Sequence, residues 1–411
     1  MKTAVNQNME LLAPAGSLQS FAAAMEAGAD AVYIGAPELN ARNLARHFSL
    51  AEITAMVEDS HRRGKKLYVA MNSLAKEEEL KRVLSLLSFF ARTGVDALIV
   101  QDVGISSLAR QYFPDLPLHA STLMTAHNSL SVEALFTRGF KRVVLARELT
   151  IEEIGAIHHR CPGELEVFVH GAMCFSYSGL CLFSSYQGGK SGLRGRCVQP
   201  CRRRYTLEGG KVEGRMRPAS YVEKVVRAYR LVLDRPGDTT ALVKASDLLQ
   251  SALCRNSSTG FFLNQQPATL LSPQHSGNTG VFIGKVEVVQ GHMVGCNLRH
   301  PLAKGDRLRL HREKSGERVA FTLQSIFFHH RRLSSAKSGE RVKIEVPGKA
   351  SKGDSLFLVD SSANRKKEGD RTAILPEVKK IPDARLLQED RSLALLNDFH
   401  KRRQSALAAG R

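Results

Sequence analysis

Tryptophan is absent from this sequence, and aromatic residues of all kinds make up only 6% of its 411 positions. Long apolar stretches are absent too, since no run approaches the roughly 18 apolar residues that cross a bilayer as a helix. The stretch from Met1 to Glu10 has no apolar core of signal-peptide length. We therefore expect a soluble, cytoplasmic protein with no membrane partner.

Acidic residues are scarce relative to basic ones. The chain has 59 Lys and Arg against 40 Asp and Glu, which gives a formal net charge of +19. A surplus of this size favours a polyanionic partner, most simply nucleic acid. A lineage whose proteins are generally basic would give the same surplus, so charge alone leaves the partner open.

Cysteines are few but clustered. The count of seven is odd, and in a reducing compartment it argues against a disulfide framework. Four of them fall within 28 residues, with six, fifteen and three residues between successive members: Cys174, Cys181, Cys197 and Cys201. Such a group is typical of an iron–sulfur centre or a structural zinc site.

The spacing of these four cysteines helps to distinguish an iron–sulfur centre from a zinc site. Zinc sites usually pair their ligands at about two to four residues, and only the last two cysteines are this close. The spacing therefore favours iron–sulfur without settling it. Four unligated core cysteines are a third reading, which the Gly-, Ser- and Arg-rich context disfavours.

The first 170 residues alternate strand-length apolar runs with helix-like segments. The runs are Glu10–Pro14, Ala31–Ala36, Lys66–Asn72, Ala97–Asp102, Leu118–Thr122, Arg142–Arg147 and Leu165–Gly171. The helical segments are Leu18–Ala27, Leu50–Arg63, Lys76–Arg92, Ser129–Arg138 and Ile151–Arg160. This alternation predicts an α/β fold with a parallel sheet, and the number of units favours a TIM-like (β/α) barrel.

The pattern changes along the rest of the chain and predicts four regions. Residues 1–235 form the barrel, with a Cys-rich loop at 172–209, and residues 236–276 form a linker of weak pattern. Residues 277–360 have period-two alternation and glycine turns, which predict a small antiparallel β-barrel domain. Residues 361–411 form a charged helical tail.

Polar residues follow several of the predicted strands, where barrel chemistry sits. They are Asn72, Gln101, Asp102, Ser121, Arg147 and His170. Loop capping is the simpler reading for any one of them. Arginines crowd the cysteines, at Arg194, Arg196, Arg202, Arg203 and Arg204, and are predicted to bind RNA phosphates. Tyr177, Phe183 and Tyr186 are suited to stacking on an unpaired base, or to packing the loop onto the barrel.

Five segments resemble the collagenase-like peptidases of family U32, whose catalytic type is unknown. They are Glu10–Gly16, Gly28–Gly35, Asn40–Arg42, the stretch from Val169 through Arg202, and Val212–Met216. The resemblance covers Glu10 to Asp234 and continues more weakly through the C-terminal β domain. It implies a partial or complete (β/α) barrel that carries a [4Fe–4S] cluster.

The resemblance also implies a chemistry. Better-understood relatives hydroxylate RNA bases with prephenate as co-substrate, one group on a cytidine of ribosomal RNA and another on a uridine of tRNA. A group that supports ubiquinone hydroxylation has its fourth cysteine farther along the chain, unlike Cys201. By this resemblance the four clustered cysteines are the cluster ligands, and the candidate catalytic residues are His170, Glu213 and Arg215.

One departure from the family pattern concerns the barrel. In relatives a further segment and a helix separate the last cysteine from the strand that matches Val212–Met216, whereas here only Arg202–Gly210 intervenes. The barrel is therefore predicted to be incomplete, and a partner subunit is one candidate to cover the gap. Three functions remain open: RNA hydroxylation, a collagenase-like protease, and a non-catalytic RNA-binding or maturation partner.

Overall fold

The structure is a computed structural model that describes residues 9–42, 47–171, 174, 176–202, 219–252, 258–263, 280–328, 331–363, 375–387 and 389–408. It divides into two compact units. The first contains Met1–Pro218, Ser258–Leu271 and Pro376–Arg411, and the second contains Ala219–Ser257 and Ser272–Leu375.

The first unit is built on a seven-stranded sheet whose strands follow chain order and pair in parallel. The strands are β1 (Leu12–Pro14), β2 (Ala31–Gly35), β3 (Lys66–Met71), β4 (Ala97–Val100), β5 (Leu118–Ala120), β6 (Arg142–Val144) and β7 (Glu164–Glu166). The predicted α/β class with a parallel sheet is confirmed, because each predicted run overlaps one strand. The seventh strand begins one residue before its predicted run.

Six helices connect these strands: α1 (Leu18–Glu26), α2 (Leu50–Arg62), α3 (Leu80–Thr93), α4 (Val103–Tyr112), α5 (Ser129–Thr137) and α6 (Ile151–Arg160). Helix α4 is missing from the sequence prediction. Its first turns contain Gly104, Ser106 and Ser107, which are weak helix formers. The helix begins because Asp102 caps it, with Oδ1 accepting from the Ile105 amide at 3.0 Å.

The sheet is buried on both faces. Val32, Leu67 and Leu98 on one face are completely buried. On the other face a smaller cluster is built from Ala31, Tyr68, Ala70, Ala97 and Ile99. Strands covered on both sides need apolar residues at nearly every position, which explains the continuous apolar runs in the sequence.

The sheet is curled, as a contact between its sixth strand and the residue just before its first strand shows. Arg142 at the start of β6 places Nη1 2.7 Å from Oε1 of Glu10, just before β1. Its Nη2 lies 2.7 Å from Glu164 of β7. Tyr68 of β3 donates its hydroxyl hydrogen to Glu10 at 2.8 Å. A flat sheet would hold β1 and β6 five strand spacings apart, so this ion pair requires a half-barrel.

Burial and charge set the ionisation of this inner group. Burial alone would raise the pKa of Glu10, but hydrogen bonds from Arg142 and Lys66 outweigh it and hold the pKa at about 2. Burial raises the pKa of Glu166 to about 7, although the charge of Arg142 opposes the shift. Burial, helped by Arg142, lowers the pKa of His119 to about 3. Glu10 and Arg142 are therefore charged at neutral pH, while His119 is neutral.

The described strands make a curled half-barrel, and the complete TIM-like barrel stays a prediction. Among the described residues β7 is the last strand of the sheet. The segment that resembles an eighth strand, Val212–Met216, lies outside the described residues.

The Cys-rich segment turns back over the carboxyl ends of the strands after β7. It contains one short helix, α7 (Phe183–Gly188). The Leu74 amide after β3 donates to the Leu193 carbonyl at 3.0 Å. Gly179 lies directly against the backbone of Leu123 after β5, where a Cβ would stand 2.3 Å from the Leu123 carbonyl oxygen. This contact needs a glycine.

The second unit begins with two paired helices, α8 (Ala219–Asp234) and α9 (Thr239–Ala252). Helix α9 falls inside the predicted linker at 236–276, so that part of the linker prediction is wrong. The buried residues of α9 are Ala241, Ala245 and Ala252. A helix that packs through alanines has little hydrophobic contrast between its faces, which explains why periodicity did not reveal it.

The rest of the second unit is an antiparallel sheet, as the period-two pattern predicted. Its strands lie in the order β12-β11-β17-β8-β9-β16-β13-β14, with a separate β10-β15 pair. The bounds are β8 (Val281–Gln290), β9 (Met293–Asn297), β10 (Leu302–Ala303), β11 (Arg307–His311), β12 (Arg318–Thr322), β13 (Ile326–Phe328), β14 (Arg331–Leu333), β15 (Ser335–Ala336), β16 (Arg341–Glu345) and β17 (Ser355–Asp360). Within the described part of this unit no pairing joins β12 to β14, so closure into a barrel stays a prediction.

The tail is helical, as predicted, and docks on the first unit. It contains α10 (Asp383–Leu386) and α11 (Glu389–Ala408). Helix α11 packs along α3, and the Tyr112 hydroxyl donates to Asp398 at 2.9 Å. Of the helices in the described ranges, none is long and apolar enough to span a bilayer.

The buried carboxyl of Glu166 generates a pH prediction. Because the folded state raises its pKa to about 7, the wild type loses stability as pH rises from the ordinary range of a glutamic acid through 7. Glu166→Gln stays neutral, so we expect its stability relative to wild type to improve by about 1–3 kcal/mol between pH 5 and pH 8. Urea unfolding at both pH values measures this.

Glu164→Gln is the matched control for that experiment. It removes an ion pair from the same arginine, but its side chain is 63% exposed. We expect it to lower stability at both pH values. A stability difference between Glu166→Gln and wild type that does not change with pH would contradict the prediction.

A second prediction concerns the docking of the Cys-rich segment. Gly179→Ala should undock it, because the new methyl group would collide with the Leu123 backbone. Gly189→Ala is the control, since Gly189 has a similar left-handed backbone (φ +61°) with nothing near the Cβ position. The control should cost only about 1 kcal/mol of backbone strain. Amide hydrogen exchange over 176–202 should be faster in Gly179→Ala alone, and equal exchange in both variants would refute the docking role.

Candidate functional site

Two contacts fix the Cys-rich segment over the strand ends, one a salt bridge and the other a pair of hydrogen bonds to a carboxylate. In the first, Arg194 holds Glu79 through two bonds of 2.7 Å, and its Nη1 also donates to the Leu74 carbonyl. The Arg194 guanidinium lowers the pKa of Glu79. Arg194 was predicted to bind RNA, and that role stays a prediction. The geometry gives it an anchoring role that sequence spacing did not reveal.

The second contact lies after β6. The Ser178 amide and hydroxyl both donate to Oε1 of Glu148, at 3.0 and 3.2 Å. His127 approaches the other oxygen of Glu148 at 3.5 Å, and its ring lies 6.0 Å from that of Tyr177. Neither Glu148 nor His127 belongs to a recognisable sequence motif. Only the fold identifies these two residues as supports of the Cys-rich segment.

The four clustered cysteines are thiols rather than disulfides. Cys174 accepts a 3.8 Å hydrogen bond at its sulfur from Arg147 Nη1, and the guanidinium of Arg147 lies 4.3 Å from the Phe168 ring centroid. Cys181 and Cys197 both lie beside Gly192, where a Cβ would stand 3.7 Å from the Cys181 carbonyl oxygen and 3.7 Å from the Cys197 Cβ. Cys201 occupies a short turn, Pro200–Arg202, that contacts α7.

The donors fit a cluster in chemistry, because thiolates are the usual iron–sulfur ligands. Within the described part of the chain no three His, Cys, Asp or Glu side chains converge on one point. The cluster assignment therefore stays a prediction.

A polar group lines the carboxyl ends of the central strands. Asn72 donates to the Ser121 hydroxyl at 3.2 Å and accepts from the Ala41 amide at 2.9 Å. Gln101 is 8% exposed, and among the described residues its Oε1 has no hydrogen-bond partner. A buried acceptor without a donor is costly unless a ligand supplies one. Asp102 instead serves as a cap, as the simpler reading expected.

Two arginines also follow strands at this end of the sheet. Burial raises the pKa of Tyr33 in β2, and the positive charges of Arg42 and Arg147 oppose that rise. Two cations that act on one partly buried phenol favour an anionic ligand. Arg42 belongs to a segment already recognised in the sequence, and Arg147 follows β6.

The remaining predicted site residues are dispersed. His170 is half-buried where β7 leads into the Cys-rich segment, and Arg196 is exposed. Arg202 lies in the turn of Cys201. Tyr177 and Tyr186 are 63% and 88% exposed, whereas Phe183 is half-buried. Arg203, Arg204, Glu213 and Arg215 lie outside the described residues.

Three relatives illustrate what this chain is similar to among known proteins. The chain is 32% identical over 356 residues to a 23S rRNA 5-hydroxycytidine synthase of Escherichia coli, which covers 75% of this chain and 53% of that protein. It is 39% identical over 203 residues to a tRNA hydroxylation protein P of Escherichia coli, covering 49% of this chain and 45% of that protein. The match thus spans about half the length of each RNA-modifying relative.

The third relative matches over nearly its whole length. It is an uncharacterised protease of Methanocaldococcus jannaschii, 30% identical over 408 residues, which cover 85% of this chain and 98% of that protein. A family model for peptidase family U32 matches residues 16–210 and 207–271. Together these ranges include strands β2 to β7 of the parallel sheet and all four clustered cysteines. The chain therefore belongs to peptidase family U32.

Proposed function

We propose that this protein hydroxylates RNA bases and that Cys174, Cys181, Cys197 and Cys201 hold a [4Fe–4S] cluster. The observation that carries the proposal is the similarity to two RNA-hydroxylation proteins, one named for ribosomal RNA and one for tRNA. The net charge of +19 supports a nucleic-acid substrate. We therefore expect the protein to act in the cytoplasm, where these RNAs occur.

The exposed side chains around the cysteines supply the contacts that an unpaired RNA segment needs. Tyr186 presents a ring that is 88% exposed, and aromatic rings stack on bases without regard to sequence. Arg196 is exposed two positions from Arg194 and lies next to Cys197, so its guanidinium is available for a phosphate. In this proposal the surface of the Cys-rich segment holds the substrate base.

Side chains at the carboxyl ends of the strands are suited to bind a small anionic co-substrate. Arg42 and Arg147 carry the positive charge that two carboxylates need, and Gln101 offers a buried acceptor for a hydroxyl hydrogen. Prephenate, which the family resemblance implies, has both carboxylates and a hydroxyl. When bound, the cluster would supply redox or Lewis-acid chemistry beside Arg147.

The protease alternative rests on the name of the relative from Methanocaldococcus jannaschii. A protease needs a nucleophile with a base in hydrogen-bond reach. The sequence supplied no such pair, and the described contacts of His127 lead to Glu148 and the Thr125 carbonyl. The described contacts of His127 therefore give no support to a protease mechanism.

The cluster proposal is tested by iron content. Anaerobically purified wild type should be brown and hold about four irons per chain. Serine at any of the four clustered positions should lower iron occupancy and bleach the visible absorbance. Cys161→Ser is the matched control, because Cys161 is buried directly after α6 and its thiol donates to the Ser129 carbonyl, which a hydroxyl can also do. Equal iron loss in Cys161→Ser, or none in the other four, would refute the assignment.

The RNA proposal is tested in cells. A strain without the gene should lose one hydroxylated nucleoside from ribosomal RNA or tRNA, measured by mass spectrometry of digested RNA. Wild type should restore it, Cys197→Ser should not, and Cys161→Ser should restore it. An unchanged nucleoside profile in the deletion strain would contradict RNA hydroxylation. Cleavage of gelatin by iron-free protein would favour the protease instead.

A further inference from the structure

The antiparallel sheet of the second unit carries two phenylalanines on the face turned away from its core. The core side chains on the same strands include Ile283, Leu308 and Leu356, all completely buried. Phe282 and Phe357 alternate with these residues, are half-buried, and belong neither to the core nor to the apolar residues packed against it. Adjacent apolar rings on the face of a sheet opposite its core are typical of a binding surface.

The two rings form part of a row across three neighbouring strands. Arg309 of β11 pairs with Phe357 of β17, which pairs with Phe282 of β8. The phenyl centroids are 5.5 Å apart, and the Arg299 guanidinium lies 5.5 Å from the centroid of Phe282. The His311 ring packs 4.3 Å from Phe357 in the next row. The row therefore has arginine at both ends and aromatic rings between.

The charge around this row is positive. Residues 280–363 contain 15 Lys and Arg against 8 Asp and Glu. Two of the acids, Asp306 and Asp354, are only 3% exposed and accept hydrogen bonds from backbone amides of their own turns. Exposed Lys285 lies one row from Phe282, opposite Ser355. The surface potential near the rings is set by the basic side chains.

We propose that this row, Arg309–Phe357–Phe282–Arg299, binds an unpaired segment of RNA. Bases stack on flat aromatic faces, and flanking guanidiniums pair with the phosphates that connect them. Two rings 5.5 Å apart accommodate about two successive nucleotides. An acidic peptide would satisfy the arginines but would leave the phenyl rings without a stacking partner. The proposal does not depend on hydroxylation, because it concerns binding by a different surface.

The test is binding of a labelled, unstructured RNA oligonucleotide to the full chain, followed by fluorescence anisotropy. Phe282→Leu combined with Phe357→Leu keeps the apolar volume but removes both rings, and we expect about a tenfold loss of affinity. Phe357→Tyr keeps a ring and should bind like wild type. Arg299→Gln should weaken binding and reduce its salt dependence. Unchanged unfolding curves would show that the variants keep the fold.

Lys337→Gln is the control for charge, because Lys337 is exposed in a turn and Arg299→Gln removes the same charge. The proposal is overturned if the double leucine variant binds like wild type, or if Lys337→Gln weakens binding as much as Arg299→Gln. Competition by an acidic peptide as strong as that by RNA of equal charge would overturn it in favour of a peptide partner. If the wild-type chain binds RNA through this row but the deletion strain keeps an unchanged nucleoside profile, the result counts against the proposed hydroxylation and not against this binding surface.

Discussion

The ion pair between Arg142 and Glu10 underlies the architecture of the first unit. It joins the sixth of the seven strands to Glu10, which lies just before the first strand. Both groups are largely removed from water, so losing either partner would leave a buried charge without compensation. Glu164 and Tyr68 satisfy the remaining hydrogen-bonding capacity of the pair. The sheet must curl for these four groups to meet.

That curl decides where chemistry is possible. In a curled parallel sheet the carboxyl ends of successive strands face a common centre, and Asn72, Gln101 and Ser121 meet there although 49 residues separate the first from the last. The Cys-rich segment lies over the same ends. It is held on one side by Arg194 with Glu79 and on the other by Ser178 with Glu148. The scaffold and the segment are thus coupled through ion pairs and hydrogen bonds.

The basic surplus of the chain therefore has two uses. Arg142 and Arg194 form ion pairs with carboxylates within the fold. The sequence alone did not indicate this structural role for either residue. Arg196 and Arg299 remain exposed at the surface, and Arg299 lies over the ring of Phe282. A net charge counts both kinds equally, which is why it indicates a class of partner and not the surface that binds it.

The sequence by itself determined the α/β alternation, the seven parallel strands, the antiparallel second region and the four candidate cysteine ligands. These depend on local period, turn residues and spacing, which the chain carries within short windows. The sequence did not predict helix α9, because the buried face of this helix consists of alanines. Only the tertiary structure decided which arginines anchor the fold, and that Glu148 and His127 support the Cys-rich segment. It also decided that Phe282 and Phe357 form one row between arginines. Each of these contacts joins residues far apart in the chain, and the physical reason is that strand register and sheet curl, not sequence distance, set which side chains meet.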